Sequence, residues 1–245
     1  MNAARAALAA AILLMGIWAN LNPDVIDGWV DGGIASQSDE PAALVGLQTE
    51  EEWLVLRVQF PGKPFSQTKA DSMLGGDGSA TSYINQMSGS ESSLKITETA
   101  EIWTAPHAEG HWGADSTDER DIGVTDLIEE AAQALLTGTD LSRWDFDGDG
   151  TVDRILILHS GLAQESGGGA NAIWSHMSWL DEPLSIGDWS VSHYTIASLD
   201  SGIGTVIHEM LHQMGAHDLY DVHSDLPSSN WNGLGDWDIM ASGNW

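Results

Sequence analysis

The sequence predicts an α+β fold, in which a twisted mixed sheet has one backing helix and a second helix carries a histidine motif. Three observations lead to this prediction. Leu54, Leu56, Val58 and Phe60 alternate with other residues, which indicates a strand at 53–60. An apolar run at 154–159 indicates a buried strand, and apolar residues recur at helical spacing in two later segments. Since 42% of the 245 residues are hydrophobic, a substantial core is expected.

Further elements are expected along the chain. They are strands at 94–103 and 191–198, a short helix at 81–87 and a longer backing helix at 125–136. Thr125 is the expected cap of the longer helix. Residues 65–79 are rich in glycine and are expected to form a loop. No Gly-Lys-Ser/Thr sequence follows these glycines, which excludes a phosphate-binding loop.

The N-terminal residues are predicted to lie outside the folded domain. Residues 1–19 contain one charged side chain, Arg5, and a mostly apolar stretch, as expected of a signal peptide or of an uncleaved N-terminal anchor. This favours a secreted protein, or one held at the cell surface. Residues 20–52 are predicted to be a linker or propeptide-like segment that ends in a solvated cluster of three glutamates. The folded domain is predicted to span 53–245.

The composition limits the possible partners. The formal net charge is -29, from 8 Lys+Arg and 37 Asp+Glu. Such a surface argues against nucleic acid as a partner and against stable association with a membrane once a signal peptide is removed. It is typical of salt-adapted, halophilic proteins, and some of the carboxylates are candidates for binding calcium. The chain has no cysteine, which excludes disulfides, cysteine-bound zinc and thiol catalysis.

The most informative stretch is the H-E-x-x-H sequence from His208 to His212. Four residues make slightly more than one helical turn, so both imidazoles face the same way and are predicted to bind one zinc ion. Glu209 lies beside them, free to act as a general base. Apolar residues within 207–214 would pack this helix on a core, and Ser201 is its expected N-cap.

A third zinc ligand is expected shortly after this helix. Gly215 can end the helix in a left-handed conformation and turn the chain back. Asp218 would then reach the open side of the metal as the third ligand. His217, one residue earlier, is the rival candidate.

A second cation site is predicted in an acidic loop that precedes the buried strand. Carboxylates at alternating positions, with glycines at the bends, are typical of calcium sites. The predicted ligands are Asp145, Asp147, Asp149 and Asp153. Position twelve is Leu156 instead of glutamate and the flank is strand-like, so the loop is not an EF-hand.

Other residues have weaker indications. Met240 lies in a predicted tight turn downstream of the zinc motif, which indicates a Met-turn, an apolar floor beneath the metal. His107 and His111 are more typical of surface loop residues than of a second metal pair. His176 is predicted to be a hydrogen-bonded structural histidine. Tyr220 is a candidate to help bind an oxyanion.

In combination, these motifs resemble the immune inhibitor A family of secreted bacterial and archaeal metallopeptidases, within the metzincin-like zincins. The similar stretches are 208–221, 235–240 with 242–245, 145–153 followed by Gly161, and 173–176. The resemblance covers residues 53–245. It implies a zincin-like catalytic domain and an aspartate third ligand, Asp218, where metzincins more commonly have histidine. Similar proteins continue beyond the residues that follow Met240, so a C-terminally truncated catalytic domain is expected.

The sequence therefore favours a secreted zinc-dependent endopeptidase. Zinc would activate a water, Glu209 would take its proton, and a protein or peptide would be the substrate. The alternative is a non-catalytic, zinc- and calcium-stabilised surface binding module, although a structural site needs no general base. A non-proteolytic zinc hydrolase is a third possibility. The cleavage preference and the oligomeric state do not follow from the sequence.

Overall fold

A computed structural model describes residues 44–117, 119–220, 222 and 233–244 of the chain. The segment predicted to be a signal peptide or anchor, and the predicted linker up to residue 43, lie outside the described residues. Across the described ranges, no helix has the length and apolar character needed to cross a membrane.

The described chain forms one sheet of five strands and four helices of at least eight residues. These elements are β1 (Glu50–Gln59), α1 (Gln67–Leu74), α2 (Ala80–Met87), β2 (Ser93–Thr104), α3 (Val124–Leu136), β3 (Ile155–His159), β4 (His176–Ile186), β5 (Trp189–Ser198) and α4 (Ile203–Gln213). The strand order is β2-β1-β3-β5-β4. The first four strands in this order run parallel, whereas β4 is antiparallel to β5 and lies at the edge. The predicted mixed sheet is confirmed.

Helices cover both faces of the sheet, because the central strands are apolar on both sides. In β1, Leu54, Leu56 and Val58 pack in one cluster with α3, as the alternating pattern predicted. Trp53 and Val55 belong to the opposite cluster, with α1, α2 and α4. Parallel strands buried on both faces are expected to be apolar at successive positions. The sheet therefore offers α4 a rigid apolar surface on which to pack.

Strand β4 is the element that sequence reasoning missed. Its sequence includes Asp181, Glu182 and Pro183 and has no clear apolar alternation. The register with β5 shifts between Trp179 and Leu184, and the proline falls inside this interruption. Proline and charged residues are tolerated there because an edge strand leaves one side of its backbone unpaired.

The first helix, α1, lies where a loop was predicted, so that prediction is wrong. Ser66 caps it by accepting a hydrogen bond from the backbone N–H of Lys69 at 3.4 Å. Ala70, Met73 and Leu74 form its buried face. This stripe spans little more than one turn, and the glycines that follow it hid the helical period. Helix α3 begins at Val124 with Gly123 at the capping position, so Thr125 lies inside the helix and does not cap it as predicted.

The three glutamates before Trp53 are not a solvated cluster, because Glu51 is fully buried within β1. Its carboxylate accepts two hydrogen bonds from Arg154, at 2.8 and 3.1 Å, and Arg154 is also 0% exposed. The same guanidinium donates to the backbone carbonyls of Val45 at 2.7 Å and Gln213 at 3.0 Å. Arg154 therefore joins the segment before β1, the start of β3 and the end of α4.

Replacing Arg154 with methionine should lower the free energy of unfolding by about 3–5 kcal/mol, because Glu51 would remain buried without its counter-charge. Urea denaturation measures this loss. Lys95→Met is the matched control, since exposed Lys95 lies 3.2 Å from Glu52 at the surface, and its loss should be at most about 1 kcal/mol. Equal losses in the two variants would contradict the assigned role of Arg154.

Candidate metal centre and active site

Helix α4 presents the two histidines of the H-E-x-x-H motif on one face. The ring centroids of His208 and His212 are 4.7 Å apart. The Nδ1 atom of His208 lies 2.7 Å from the carbonyl oxygen of Ile239, and that of His212 lies 2.9 Å from the carbonyl oxygen of Ala216. A carbonyl can only accept, so each ring carries a proton on Nδ1. The lone pair of a neutral imidazole then lies on Nε2, where it can bind a metal.

The two free nitrogens meet a carboxylate oxygen from the segment after the helix. The Nε2 atoms of His208 and His212 are 3.1 Å apart. Oδ1 of Asp218 lies 3.1 Å from the first and 3.4 Å from the second. This oxygen is buried without a hydrogen-bond partner among the described residues. Burial would lower the pKa of both histidines, but Asp218 outweighs it and raises them. A cation at the centre of the group would take the place of the Nε2 protons and satisfy all three atoms.

The spacing and chemistry of these donors fit zinc. Bonds of about 2.0–2.1 Å in tetrahedral geometry separate neighbouring ligand atoms by about 3.3 Å, close to the observed separations. Two imidazoles and a carboxylate are ligand types that zinc accepts. Burial alone would raise the pKa of Asp218, but the neighbouring His208 and His212 outweigh it and hold that pKa well below its usual value. The third donor is therefore an ionised carboxylate.

The turn after α4 brings Asp218 back toward the histidines. Gly215 has a φ of +90°, a conformation that glycine adopts without strain. Its N–H donates to the carbonyl of His212, and the next N–H donates to that of Leu211. Within the described residues, the group of possible metal ligands contains Asp218 and not His217. His217 instead lines a cavity on the His212 side.

Glu209 lies beside the three donors and is buried. Its Oε1 is 3.9 Å from Nε2 of His208, and its Oε2 accepts a hydrogen bond from the backbone N–H of Met177 at 2.9 Å. Burial raises the pKa of Glu209 to about 7, although the two histidines and this N–H act in the opposite direction. A carboxyl group with this proton affinity is suited to accept and return protons near neutral pH.

The start of β4, which orients Glu209, is held by a residue that sequence reasoning did not single out. Glu165 accepts hydrogen bonds from the Ser175 hydroxyl at 2.7 Å, from the Ser201 hydroxyl at 2.8 Å and from the Ser175 backbone N–H. Ser201 was predicted to cap α4, but the capping position is occupied by Gly202. A lone glutamate in a glycine-rich loop offered no pattern that would reveal this role.

Met240 lies in a buried turn near the histidines. It belongs to the same apolar cluster as α4. Its carbonyl accepts a hydrogen bond from the N–H of Leu219 at 2.7 Å, and the preceding residue, Ile239, supplies the carbonyl that orients His208. The turn at Ile239 and Met240 therefore orients His208 and holds the segment that carries Asp218.

Two cavities adjoin the three donors, one at His208 and the other at His212 and Asp218. The Glu209 cavity has a volume of about 200 Å³, and its lining includes Glu165, Trp174, His208, Glu209 and Tyr220. The His212 cavity has a volume of about 460 Å³, and its lining includes Met177, Trp179, His212, His217 and Asp218.

Burial, reinforced by Asp218 and Glu209, raises the pKa of Tyr220 to about 12. The Tyr220 phenol therefore stays protonated at neutral pH and can donate a hydrogen bond.

The acidic loop brings three of its four predicted ligands together. Carboxylate oxygens of Asp145, Asp147 and Asp149 lie within 4.8 Å of one another. Asp145 also accepts hydrogen bonds from two glycine N–H groups of the loop. Asp153 is outside this group. It is buried and accepts a hydrogen bond from the N–H of Phe146 at 2.6 Å, and burial raises its pKa to about 6.

The remaining histidines lie outside the described groups of possible ligands. His176 packs between the Trp174 carbonyl, 2.8 Å from Nδ1, and the Tyr194 hydroxyl, 3.1 Å from Nε2. These contacts agree with the predicted structural role. His107 and His111 stack on each other, with ring centroids 4.2 Å apart.

Comparison with known proteins identifies relatives of the chain. Residues 56–245 match the family model described as immune inhibitor A peptidase M6, catalytic domain. Immune inhibitor A of Bacillus thuringiensis subsp. alesti is 28% identical over an alignment that covers 90% of this chain and 40% of that protein. The pre-pro-metalloprotease PrtV of Vibrio cholerae serotype O1 is 27% identical, over 66% of this chain and 21% of that protein. The chain thus spans less than half the length of these curated relatives.

Replacing Asp218 with alanine should weaken zinc binding by at least about 100-fold, because it removes one of three converging donors. Competition with a chelating dye measures the affinity. His217→Ala is the matched control and should bind zinc as the unchanged protein does. The reverse result would identify His217 as the third ligand.

Proposed function

This chain belongs to the immune inhibitor A peptidase M6 family, and we propose that it is a zinc-dependent endopeptidase with Glu209 as its general base. The match is to that family's catalytic domain, so the chain carries a metallopeptidase domain. One observation carries the finer proposal: three potential metal-ligand atoms converge beside a buried carboxyl group of raised pKa. His208, His212 and Asp218 are the proposed zinc ligands.

The chemistry divides between the metal and the chain's own residues. Bound zinc supplies a Lewis acid that increases the acidity of water and stabilises developing negative charge. Glu209 accepts the proton of the attacking water and delivers it to the leaving amine. The N–H of Met177 holds the Glu209 carboxylate in place, at 2.9 Å. Tyr220, protonated and on the same cavity, is suited to donate a hydrogen bond to the oxyanion.

Cleavage within a chain, as opposed to removal of a terminal residue, is supported by the arrangement of the cavities. The Glu209 cavity adjoins His208, and the His212 cavity adjoins His212 and Asp218, so the ligand group borders two cavities. We infer that a substrate occupies both cavities, one on each side of the scissile bond. We assign the domain to the metzincin-like zincins, with Met240 in the Met-turn.

The cellular context is part of the same proposal. Residues 1–19, a signal peptide or anchor by their composition, would export the protein. The linker or propeptide-like segment, predicted as 20–52, would end where β1 begins at Glu50. The catalytic domain would then act outside the cell on proteins or peptides. One relative is named immune inhibitor A, and another is named a pre-pro-metalloprotease.

Calcium is the second proposed cation, held by the acidic loop. Asp145, Asp147 and Asp149 offer clustered oxygen atoms, which calcium prefers, and positive φ values at Gly148 and Gly150 let the loop curl around them. Asp153 remains a predicted fourth ligand. The cation would offset the mutual repulsion of these carboxylates and stiffen the approach to β3.

Changing Glu209 to glutamine should keep zinc bound and lower kcat/KM by about 10²–10⁴-fold, because the proton acceptor is lost. Casein hydrolysis in high salt with calcium measures turnover, and o-phenanthroline should abolish it in the unchanged protein. Full activity of E209Q would refute the mechanism. A folded, zinc-loaded protein that cleaves neither casein nor gelatin would favour the non-catalytic binding module.

Calcium should stabilise the fold, by about 2.7 kcal/mol at a concentration of about 100 times its Kd. Thermal unfolding with calcium, compared with magnesium, measures the shift in Tm. Asp147→Asn should remove most of this shift. Asp77→Asn, a change at an exposed site outside the loop, should retain it. A shift that survives in D147N would place the bound calcium elsewhere.

A further inference from the structure

A large acidic pocket lies beside the edge strand β4, outside the catalytic residues. Its volume is about 690 Å³. Six carboxylates line it: Glu119, Asp121, Asp126, Glu129, Asp181 and Glu182. Arg120 is the one cationic side chain in this lining. The pocket therefore has a strongly negative potential that the chain itself does little to neutralise.

Asp121 adds a buried carboxyl group with an incomplete set of partners to this pocket. The residue lines the pocket and is only 6% exposed, and its Oδ1 is buried with no hydrogen-bond partner in the described structure. Its other oxygen accepts a hydrogen bond from the N–H of Trp174 at 3.1 Å. Burial raises the pKa of Asp121 to about 7, because nearby Arg120 compensates only in part. A cation in the pocket would supply the missing counter-charge.

The arrangement of the carboxylates favours an organic cation over a metal ion. No three of them bring oxygen atoms within 4.8 Å of one another, unlike those of the acidic loop. A calcium ion needs several oxygens at about 2.3–2.6 Å. The pocket wall also accepts a guanidinium, since that of Arg120 lies 4.3 Å above the ring of Trp174.

The acidic pocket shares lining residues with both cavities beside the candidate metal centre. Trp174 lines both the acidic pocket and the Glu209 cavity, and Trp179 lines both the acidic pocket and the His212 cavity. Trp174 and Trp179 lie just before and within the exposed edge strand β4. A peptide bound at the edge of a sheet projects its side chains alternately to the two faces. One of its side chains can therefore enter the acidic pocket while its backbone passes the zinc ligands.

We propose that the acidic pocket is a specificity pocket that binds a lysine or arginine side chain of the peptide substrate. This inference rests on the proposed peptidase function and adds a substrate class to it. The pocket supplies negative charge, to which the buried carboxyl group of Asp121 contributes. A neutral side chain of the same length would leave this charge uncompensated.

The test uses fluorogenic peptides in which one lysine is moved through successive positions of a neutral sequence, each with a norleucine-containing partner. At one or two positions, lysine should raise kcat/KM about five- to tenfold, as expected for a partly buried charge pair. The preference should shrink in high salt. A lysine advantage of less than about twofold at every position would overturn the proposal.

Two variants locate the effect. Asp181→Asn/Glu182→Gln removes two exposed charges of the pocket and should reduce the lysine preference while norleucine peptides are cleaved as before. Asp77→Asn/Glu91→Gln removes two exposed charges elsewhere and should leave the preference intact. An unchanged preference in the first variant, or an equal loss in both, would overturn the pocket assignment. Asp121→Asn is a further variant. Because Asp121 is buried, only the ratio of kcat/KM for the lysine peptide to that for its norleucine partner is interpreted.

Failure of the peptidase proposal can be distinguished from failure of the pocket proposal by measuring binding. If the unchanged protein cleaves no peptide, calorimetry with the same peptides still reports on the pocket. Tighter binding of the lysine peptide than of its norleucine partner, lost in the Asp181→Asn/Glu182→Gln variant, would support the pocket without hydrolysis. Equal binding of the two peptides would overturn it.

Discussion

The buried guanidinium of Arg154 is the contact on which the position of the active-site helix depends. It neutralises Glu51 in β1 and donates to the carbonyl of Gln213 at the end of α4. The Gln213 side chain in turn accepts a hydrogen bond from the N–H of Ile155 in β3, at 2.9 Å. A charge that is removed from water is tolerated only when its donors are paired. The sheet and the end of α4 therefore come together as one unit.

The metal centre is assembled on this frame largely by backbone groups. Carbonyls of Ile239 and Ala216 set the tautomers of the two histidines, and the N–H of Met177 holds Glu209. Each comes from a different segment: the turn before Met240, the turn after α4 and the edge strand. A backbone group carries no side-chain signature, so its partner becomes apparent only once the segments are packed together. The role of Glu165 was not foreseen because its partners, Ser175 and Ser201, come close to it only once the chain is packed.

The acidity of the chain has several structural consequences. A carboxylate joins two histidines in the candidate metal-binding group, and others cluster in the loop before β3 or spread around the pocket beside β4. These arrangements differ in spacing and in the ligands they suit. Closely spaced oxygens favour a small, hard ion, whereas dispersed carboxylates around a larger volume favour an extended organic cation. Net charge alone indicated only that cations would matter.

The sequence by itself determined the mixed sheet, the helix with H-E-x-x-H and the acidic loop, because these depend on local spacing and periodicity. It also predicted Asp218 as the third metal ligand, with His217 as the rival, and the turn at Gly215 brings Asp218 beside the two histidines. Only the tertiary structure decided the burial of Glu51, the edge strand β4 and the pocket around Asp121. The environment of each depends on partners that are distant in the chain, as Glu51 is from Arg154. Hydrogen bonding and burial between such partners are set by packing, which local patterns do not record.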